Sequence, residues 1–180
     1  MSSTPRALRR FLGLTLGLLL VMANLTLGAP AAQAADDGKL VLVLDSSGSM
    51  KERVSGQTKI KIAKSALNTV VRRLPSSAQV GLRVYGATVF DKSDAGACTD
   101  SQLVVPIGTD NRDALRAEIK KYQPYGETPI SYSLKQAAKD LGPDGRRTIV
   151  LVSDGEETCR ADPCDTAAAM PSRASISRSM

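Results

Sequence analysis

Residues 40–49 read Leu-Val-Leu-Val-Leu-Asp-Ser-Ser-Gly-Ser, five apolar residues that break off at a carboxylate followed by hydroxyls at alternate positions, Asp45, Ser47 and Ser49. An apolar run with no polar break needs cover on both faces, as at the centre of a parallel sheet. Open α/β sheets bind ligands just beyond the carboxyl ends of such strands. In a locally extended turn, residues i, i+2 and i+4 point the same way, so one carboxylate and two hydroxyls can converge on one point. Small, hard oxygen donors of this kind suit Mg²⁺ or Mn²⁺ rather than zinc or copper. Asp and Ser also end strands in ordinary turns, so this segment alone leaves both readings open.

Two further segments favour the cation site. Gly126-Glu127-Thr128-Pro129-Ile130 opens a helical pattern with Ile130, Leu134, Ala137, Ala138 and Leu141 on one face, which makes Thr128 the expected N-cap and puts Pro129 in the first turn. Thr148-Ile-Val-Leu-Val-Ser-Asp154-Gly is a second continuous apolar strand ending in a carboxylate. Taken singly, Thr128 is explained as a helix cap and Asp154 as an Asp-Gly turn. Their joint occurrence points to one site.

Asp-x-Ser-x-Ser after a strand, then Thr-Pro at a helix start, then strand-Ser-Asp-Gly, in that chain order, resembles the von Willebrand factor A domain with its metal-ion-dependent adhesion site. The resemblance implies a Rossmann-like, doubly wound, mostly parallel α/β sheet. It implies that Ser47 and Ser49 ligate Mg²⁺ (or Mn²⁺) through their hydroxyls, that Thr128 does so directly or through water, and that Asp45 and Asp154 act largely through bound waters. It also implies an extracellular protein ligand that offers a carboxylate to the metal. Few direct anionic ligands leave such an ion short of charge compensation, which favours an incoming carboxylate on physical grounds as well. Glu-Glu-Thr-Cys-Arg-Ala-Asp-Pro-Cys at 156–164 is similar to a bacterial secreted branch of the same family.

The amino end reads as a targeting segment. Arg6, Arg9 and Arg10 precede an acid-free apolar run from Phe11 to Leu27, and Ala32-Gln33-Ala34 is an A-x-A signature, so residues 1–34 are expected to be a signal peptide cleaved after Ala34. The competing reading is an uncleaved anchor, which the shortness of the run and its Gly13, Gly17 and Asn24 disfavour. The whole chain carries a net charge of +6, with 24 Lys and Arg against 18 Asp and Glu; cleavage removes three arginines and leaves 21 against 18. That balance is too mild to argue for nucleic acid or membrane binding. The basic residues of the helix expected over Gln57 to Leu74 lie opposite Ile60, Ala63, Leu67, Val70 and Leu74 and read as ordinary solvation. Glu127, Glu156 and Glu157 likewise read as solvated surface acids.

Three cysteines in an oxidising compartment predict one disulfide and one odd thiol. Cys98, Cys159 and Cys164 all fall in loops at the expected metal-site end of the sheet, and the sequence leaves their pairing open. The chain has no histidine, which leaves a zinc thiolate site poorly supplied with ligands.

The mature chain reads as one domain over 38–170. Gln79 to Tyr85 and Gln102 to Ile107 are expected to form an edge hairpin in which Pro106 is tolerable, and Asp110 or Asn111 to cap a helix bearing Leu115, Ile119 and Tyr122. The resemblance requires two more strand and helix units after Asp154, yet only 26 residues follow it. Residues 171–180 are too polar to bury anything, so they are expected to be disordered, the sheet incomplete at its carboxyl end and the strand before Asp154 an unpaired edge. A truncated or frame-shifted product without ligand-binding activity is the alternative this suggests. Catalysis is not expected: a Ser-His-Asp triad lacks its imidazole, and Gly-x-Ser-x-Gly is missing. An Mg²⁺-dependent phosphatase is the enzymatic runner-up, but Ser47 stands where it would want a second carboxylate.

Overall fold

The computed structural model describes residues 38–170 and, for the backbone alone, 174–179. The expected signal peptide, 1–34, lies outside the described residues. The main sheet contains β1 (Lys39–Asp45), β4 (Gln79–Tyr85), β5 (Ser101–Gly108), β6 (Arg147–Val152) and β7 (Ala174–Ser179), in the spatial order β5-β4-β1-β6-β7. Between β1 and β4 come a small antiparallel hairpin, β2 (Arg53–Val54) and β3 (Gln57–Thr58), and helix α1 (Lys59–Arg73). Helices α2 (Arg112–Lys121) and α3 (Ile130–Leu141) follow β5, and the short α4 (Pro163–Ala168) follows β6.

β1 pairs in parallel with β4 on one side and β6 on the other, which is why its apolar run is continuous: Val41 through Leu44 are fully buried. Side chains alternate across the sheet. Leu42 and Leu44 join Leu67, Val80, Leu82, Val84, Leu115 and Ile119 in the core beneath α1 and α2. Val41 and Val43 join Tyr85, Leu134, Leu141 and Ile149 in a second core beneath α3. Each fully buried aliphatic side chain of these layers contributes roughly 1.5–3 kcal/mol. Asp45 continues the row of Val41 and Val43, so the same alternation directs its carboxylate to the α3 side of the strand end.

β5 pairs antiparallel with β4 at the sheet edge, as expected, and accommodates Pro106 there. Arg83 of β4, 5% exposed, reaches α3 and makes a two-pronged contact with Asp140, Nε to Oδ2 at 2.8 Å and Nη2 to Oδ1 at 2.9 Å.

Three local expectations need correction. The first helix starts at Lys59 rather than Gln57, because Gln57-Thr58 pairs with Arg53-Val54 across a turn in which Ser55 and Gly56 both take positive φ (50° and 81°). Asn111 does precede α2, but its side chain does not cap it; the amide instead donates to Val80 O and Pro106 O, tying the helix start to the β4–β5 pair. The polar tail was expected to be disordered, yet the backbone of 174–179 pairs in parallel with β6, from Arg147↔Ala174 to Val152↔Ser179. Ladder hydrogen bonds come from the main chain, so an open strand edge accepts a polar segment that could not have nucleated a strand by itself.

Candidate functional site

Three loops meet at the carboxyl ends of β1, β4 and β6. Beyond Asp45 the chain turns so that Ser46 N donates to Tyr85 O (3.0 Å), Tyr125 N donates to Ser46 O (2.9 Å) and Gly48 N donates to Gly126 O (3.0 Å). The Ser46 hydroxyl donates to Gln123 O at 2.7 Å. This packing is backbone against backbone. A Cβ on Gly126 would lie 2.6 Å from Val89 O, and one on Gly86 2.7 Å from Glu127 O and 3.0 Å from Ser47 Cα. No other residue type allows approaches this close, so these two glycines set the spacing of the loops.

The side chains at this junction form one polar chain. The Ser47 and Ser49 hydroxyls are 3.1 Å apart, and Ser49 donates to Asp154 Oδ1 at 3.0 Å. A hydroxyl has one proton, so with Ser49's committed to Asp154, Ser47 is the donor between the two serines. Asp45 Oδ1 accepts from Ser47 N at 2.8 Å, and Asp45 Oδ2 accepts from Ser153 Oγ at 2.7 Å. Ser153 in turn accepts from the Tyr85 hydroxyl and from Gly155 N, each at 3.1 Å. Asp45, Ser47, Ser49 and Asp154 are thus brought together from loops more than a hundred residues apart in the chain.

Asp45 is fully buried, and no ammonium or guanidinium group forms an ion pair with it among the described residues. Burial pushes its carboxyl above the ordinary 3.8, against the opposing hydrogen bonds from Ser47 and Ser153. Burial, and then the charge of Asp45, push the Tyr85 phenol well above 10, which keeps it a donor. Asp154 is compensated instead by Lys59, whose Nζ lies 2.7 Å from Oδ2 and 2.5 Å from Glu52. Hydrogen bonding to Asp154, then to Glu52, raises the Lys59 ammonium far above its usual range.

Thr128 is placed differently from expectation. Pro129, not Thr128, occupies the residue before α3, and no side-chain cap is made there. The residue is 3% exposed, its amide donates to the Thr158 hydroxyl at 2.9 Å, and its carbonyl accepts from Ile130 N and Thr158 N. It therefore sits two residues from the Gly126–Gly48 contact, but its hydroxyl makes no hydrogen bond to the other four candidates among the described residues.

Several supporting residues escaped the sequence reading. Lys59 was read as helix solvation, but it is the helix's first residue and leans back over Asp154. Glu157 was read as a solvated acid, yet it accepts from Ser131 N at 2.7 Å in the first turn of α3 and from Cys159 N at 2.9 Å. Thr158 joins Thr128 N to the Glu127 carboxylate. A carboxylate and a hydroxyl just after the second apolar strand were the only sequence signals for the last two. Cys98 and Cys159 form the disulfide, with Cα atoms 5.5 Å apart, and Cys164 is free and exposed. The bridge ties the 86–100 loop to the segment that carries Asp154 and Glu157.

Among the described residues no group of three or more His, Cys, Asp or Glu side chains is placed to hold a metal. The donors gathered here are two carboxylates and the serine hydroxyls, an all-oxygen set whose chemistry fits a small hard cation.

Residues 40–157 match the sequence model of the von Willebrand factor type A domain. The chain is 30% identical over 138 residues to the uncharacterized protein YwmD of Bacillus subtilis (strain 168), covering 74% of this chain and 62% of that relative's length. In structure it is similar to the conserved hypothetical protein BatB of Bacteroides thetaiotaomicron (TM-score 0.62, 20% identity, 77% of this chain and 64% of that one). It is also similar to the vWF domain of the type V pili tip protein Mfa5 of Porphyromonas gingivalis (TM-score 0.52, 20% identity, 66% of this chain and 38% of that one). With the family match spanning residues 40–157, from β1 to the loop after β6, this chain belongs to the von Willebrand factor type A domain family.

Proposed function

We propose that this domain is a non-enzymatic protein-binding module, exported from the cytoplasm, that captures its ligand through Mg²⁺ or Mn²⁺. The observation that carries the reading is the chain Ser47–Ser49–Asp154 beside a fully buried Asp45 with no cationic partner. A buried carboxylate without a counter-charge is costly, and a divalent ion nearby would relieve that cost. Ser47 and Ser49 would hold the ion through their hydroxyls, Thr128 directly or through water, and Asp45 and Asp154 through bound waters. When bound, the ion would supply a coordination position for a carboxylate oxygen of the partner protein. Asp45 also orients the Ser47 amide, and Ser153 with Tyr85 fixes the Asp45 carboxylate, so the donor set is held before any ion arrives. Similarity to a domain of a pili tip protein supports an adhesive role, and the disulfide supports an oxidising compartment.

The test is a Mg²⁺ titration of the EDTA-stripped chain followed by thermal unfolding. An ion that binds only the folded state stabilises it by about 2.7 kcal/mol at a hundredfold excess over Kd. Asp45→Asn should abolish that gain, while Ser65→Ala on the exposed side of α1 should keep it. A wild-type melting curve indifferent to Mg²⁺ and Mn²⁺, or an Asp45→Asn chain that responds as strongly as wild type, would overturn the proposal.

A further inference from the structure

Beside the candidate metal site lies a surface with two exposed aromatic rings. Phe90 is 63% exposed and Tyr125 43% exposed, two of the four exposed large apolar side chains among the described residues. Their rings meet edge to face, with centroids 5.1 Å apart. They border a shallow groove of about 310 Å³ floored by Ala87 and Tyr122, so three of the five aromatic residues described in this chain line one depression. A second depression, on the other side of Tyr125, is lined by Lys51, Ile60 and Pro124.

The groove is joined to the metal-site loop through the backbone. Tyr125 pairs with Ser47 in an isolated parallel bridge and hydrogen-bonds Ser46. The Lys51 ammonium lies 4.7 Å from the centre of the Tyr125 ring, two residues beyond Ser49. Lys92, 3.9 Å from Glu127, runs its stem within 3.6 Å of where a Cβ on Gly48 would stand. Lys121 is matched by Glu118. Lys51, which lines the second depression and stands over the Tyr125 ring, has no ion-pair partner among the described residues, so it offers a positive charge beside the groove.

Exposed Phe and Tyr rings clustered on one patch are the composition of interface anchors, and the ammonium beside them sets the sign of the charge that the patch favours. We infer that the Phe90–Tyr125 groove receives a bulky apolar side chain from an acidic segment of the partner protein, adjacent to the carboxylate offered at the metal, with Lys51 facing that segment's negative charge. The inference rests on the function proposed above and adds what that function lacks, a preference among carboxylates.

The probes are three acetylated, amidated pentapeptides: Asp flanked by glycines, and the same peptide with Phe immediately before or immediately after Asp. Binding to the full chain in Mg²⁺ is followed by amide chemical shifts. At least one Phe peptide should bind about fivefold tighter than the glycine peptide, within the range an aromatic pair contributes, and should shift Ala87, Phe90 and Tyr125. Phe90→Ser, at an exposed position, should collapse the ratio of the two affinities, whereas Lys51→Gln should weaken all three peptides alike and leave the ratio standing. Metal-dependent binding of all three peptides with equal affinity would overturn this inference and leave the proposed function standing. No binding of any peptide in Mg²⁺ would overturn both. Equal binding of the Phe peptides in EDTA, or Phe90-dependent capture of phosphatidylglycerol vesicles with no Phe preference among the peptides, would also overturn it.

Discussion

Removing the Cys98–Cys159 bridge should cost this domain a large part of its stability, and the cost can be worked from the connectivity. The bridge closes a loop across a separation of 61 residues. In the chain-entropy treatment, a loop of that size restricts the unfolded chain by about 4 kcal/mol. A whole small domain is stabilised by only about 5–15 kcal/mol. The clean perturbation is the double variant Cys98→Ala/Cys159→Ala, because a single replacement would leave Cys159 free to meet Cys164 five residues on. Urea unfolding followed by far-ultraviolet circular dichroism, in EDTA so that no ion contributes, should show a loss of about 2–4 kcal/mol, a fall in midpoint of about 1–2 M for a slope near 2 kcal/mol/M. Cys164→Ala, at an exposed thiol, should change nothing measurable. A loss below about 1 kcal/mol in the double variant, or an equal loss in Cys164→Ala, would refute the reasoning that this bridge pins the 86–100 loop and the 155–160 segment to each other.

Two other perturbations probe the same junction. Gly126→Ala must push a methyl to 2.6 Å from Val89 O and 3.0 Å from Gly86 Cα, so it should cost about 1–3 kcal/mol in thermal unfolding and weaken Mg²⁺ binding, while Gly155→Ala, with nothing within 4 Å, should be nearly neutral. Asp100 offers a pH test: burial pushes its carboxyl up, but hydrogen bonds from the Thr88 hydroxyl, Val89 N, Gln102 and Thr88 N together outweigh burial and hold it below 3.8. A carboxyl depressed in the folded state contributes stability that is complete above its unfolded value and is lost as pH falls through the folded one. Asp100→Asn should therefore lower stability at pH 7 by about 1–3 kcal/mol, and in acid denaturation its difference from wild type should shrink only below about pH 4.

Much of the fold is carried by local patterns. The unbroken run at 40–44 is a central strand covered on both faces, the run at 149–152 buries Ile149 and Leu151 on one face and Val150 and Val152 partly on the other, and Ile60, Ala63 and Leu67 recur at helical spacing because one side of α1 covers the sheet. Four of the five candidate site residues fall at strand ends or in the turn just beyond, so their convergence follows once the two strands are neighbours. Thr128 was legible as part of the site loop but not as to its role: a Thr-Pro pair looks like a cap, whereas here backbone contacts to Thr158 and the Gly126–Gly48 link decide where the chain enters α3.

What the sequence determined by itself was the class of fold, the order of the main strands and helices up to Asp154 and an oxygen-rich cluster at one end of the sheet, because hydrophobic period, turn chemistry and hydroxyl spacing act over a few residues. Only the tertiary structure decided which cysteines pair, that Lys59 compensates Asp154 while Asp45 stays without an ion-pair partner, that a polar tail completes the sheet edge, and that Phe90 and Tyr125 meet on the surface. Each of these depends on distances between residues far apart in the chain, and those distances are set by how the helices and loops pack on the sheet.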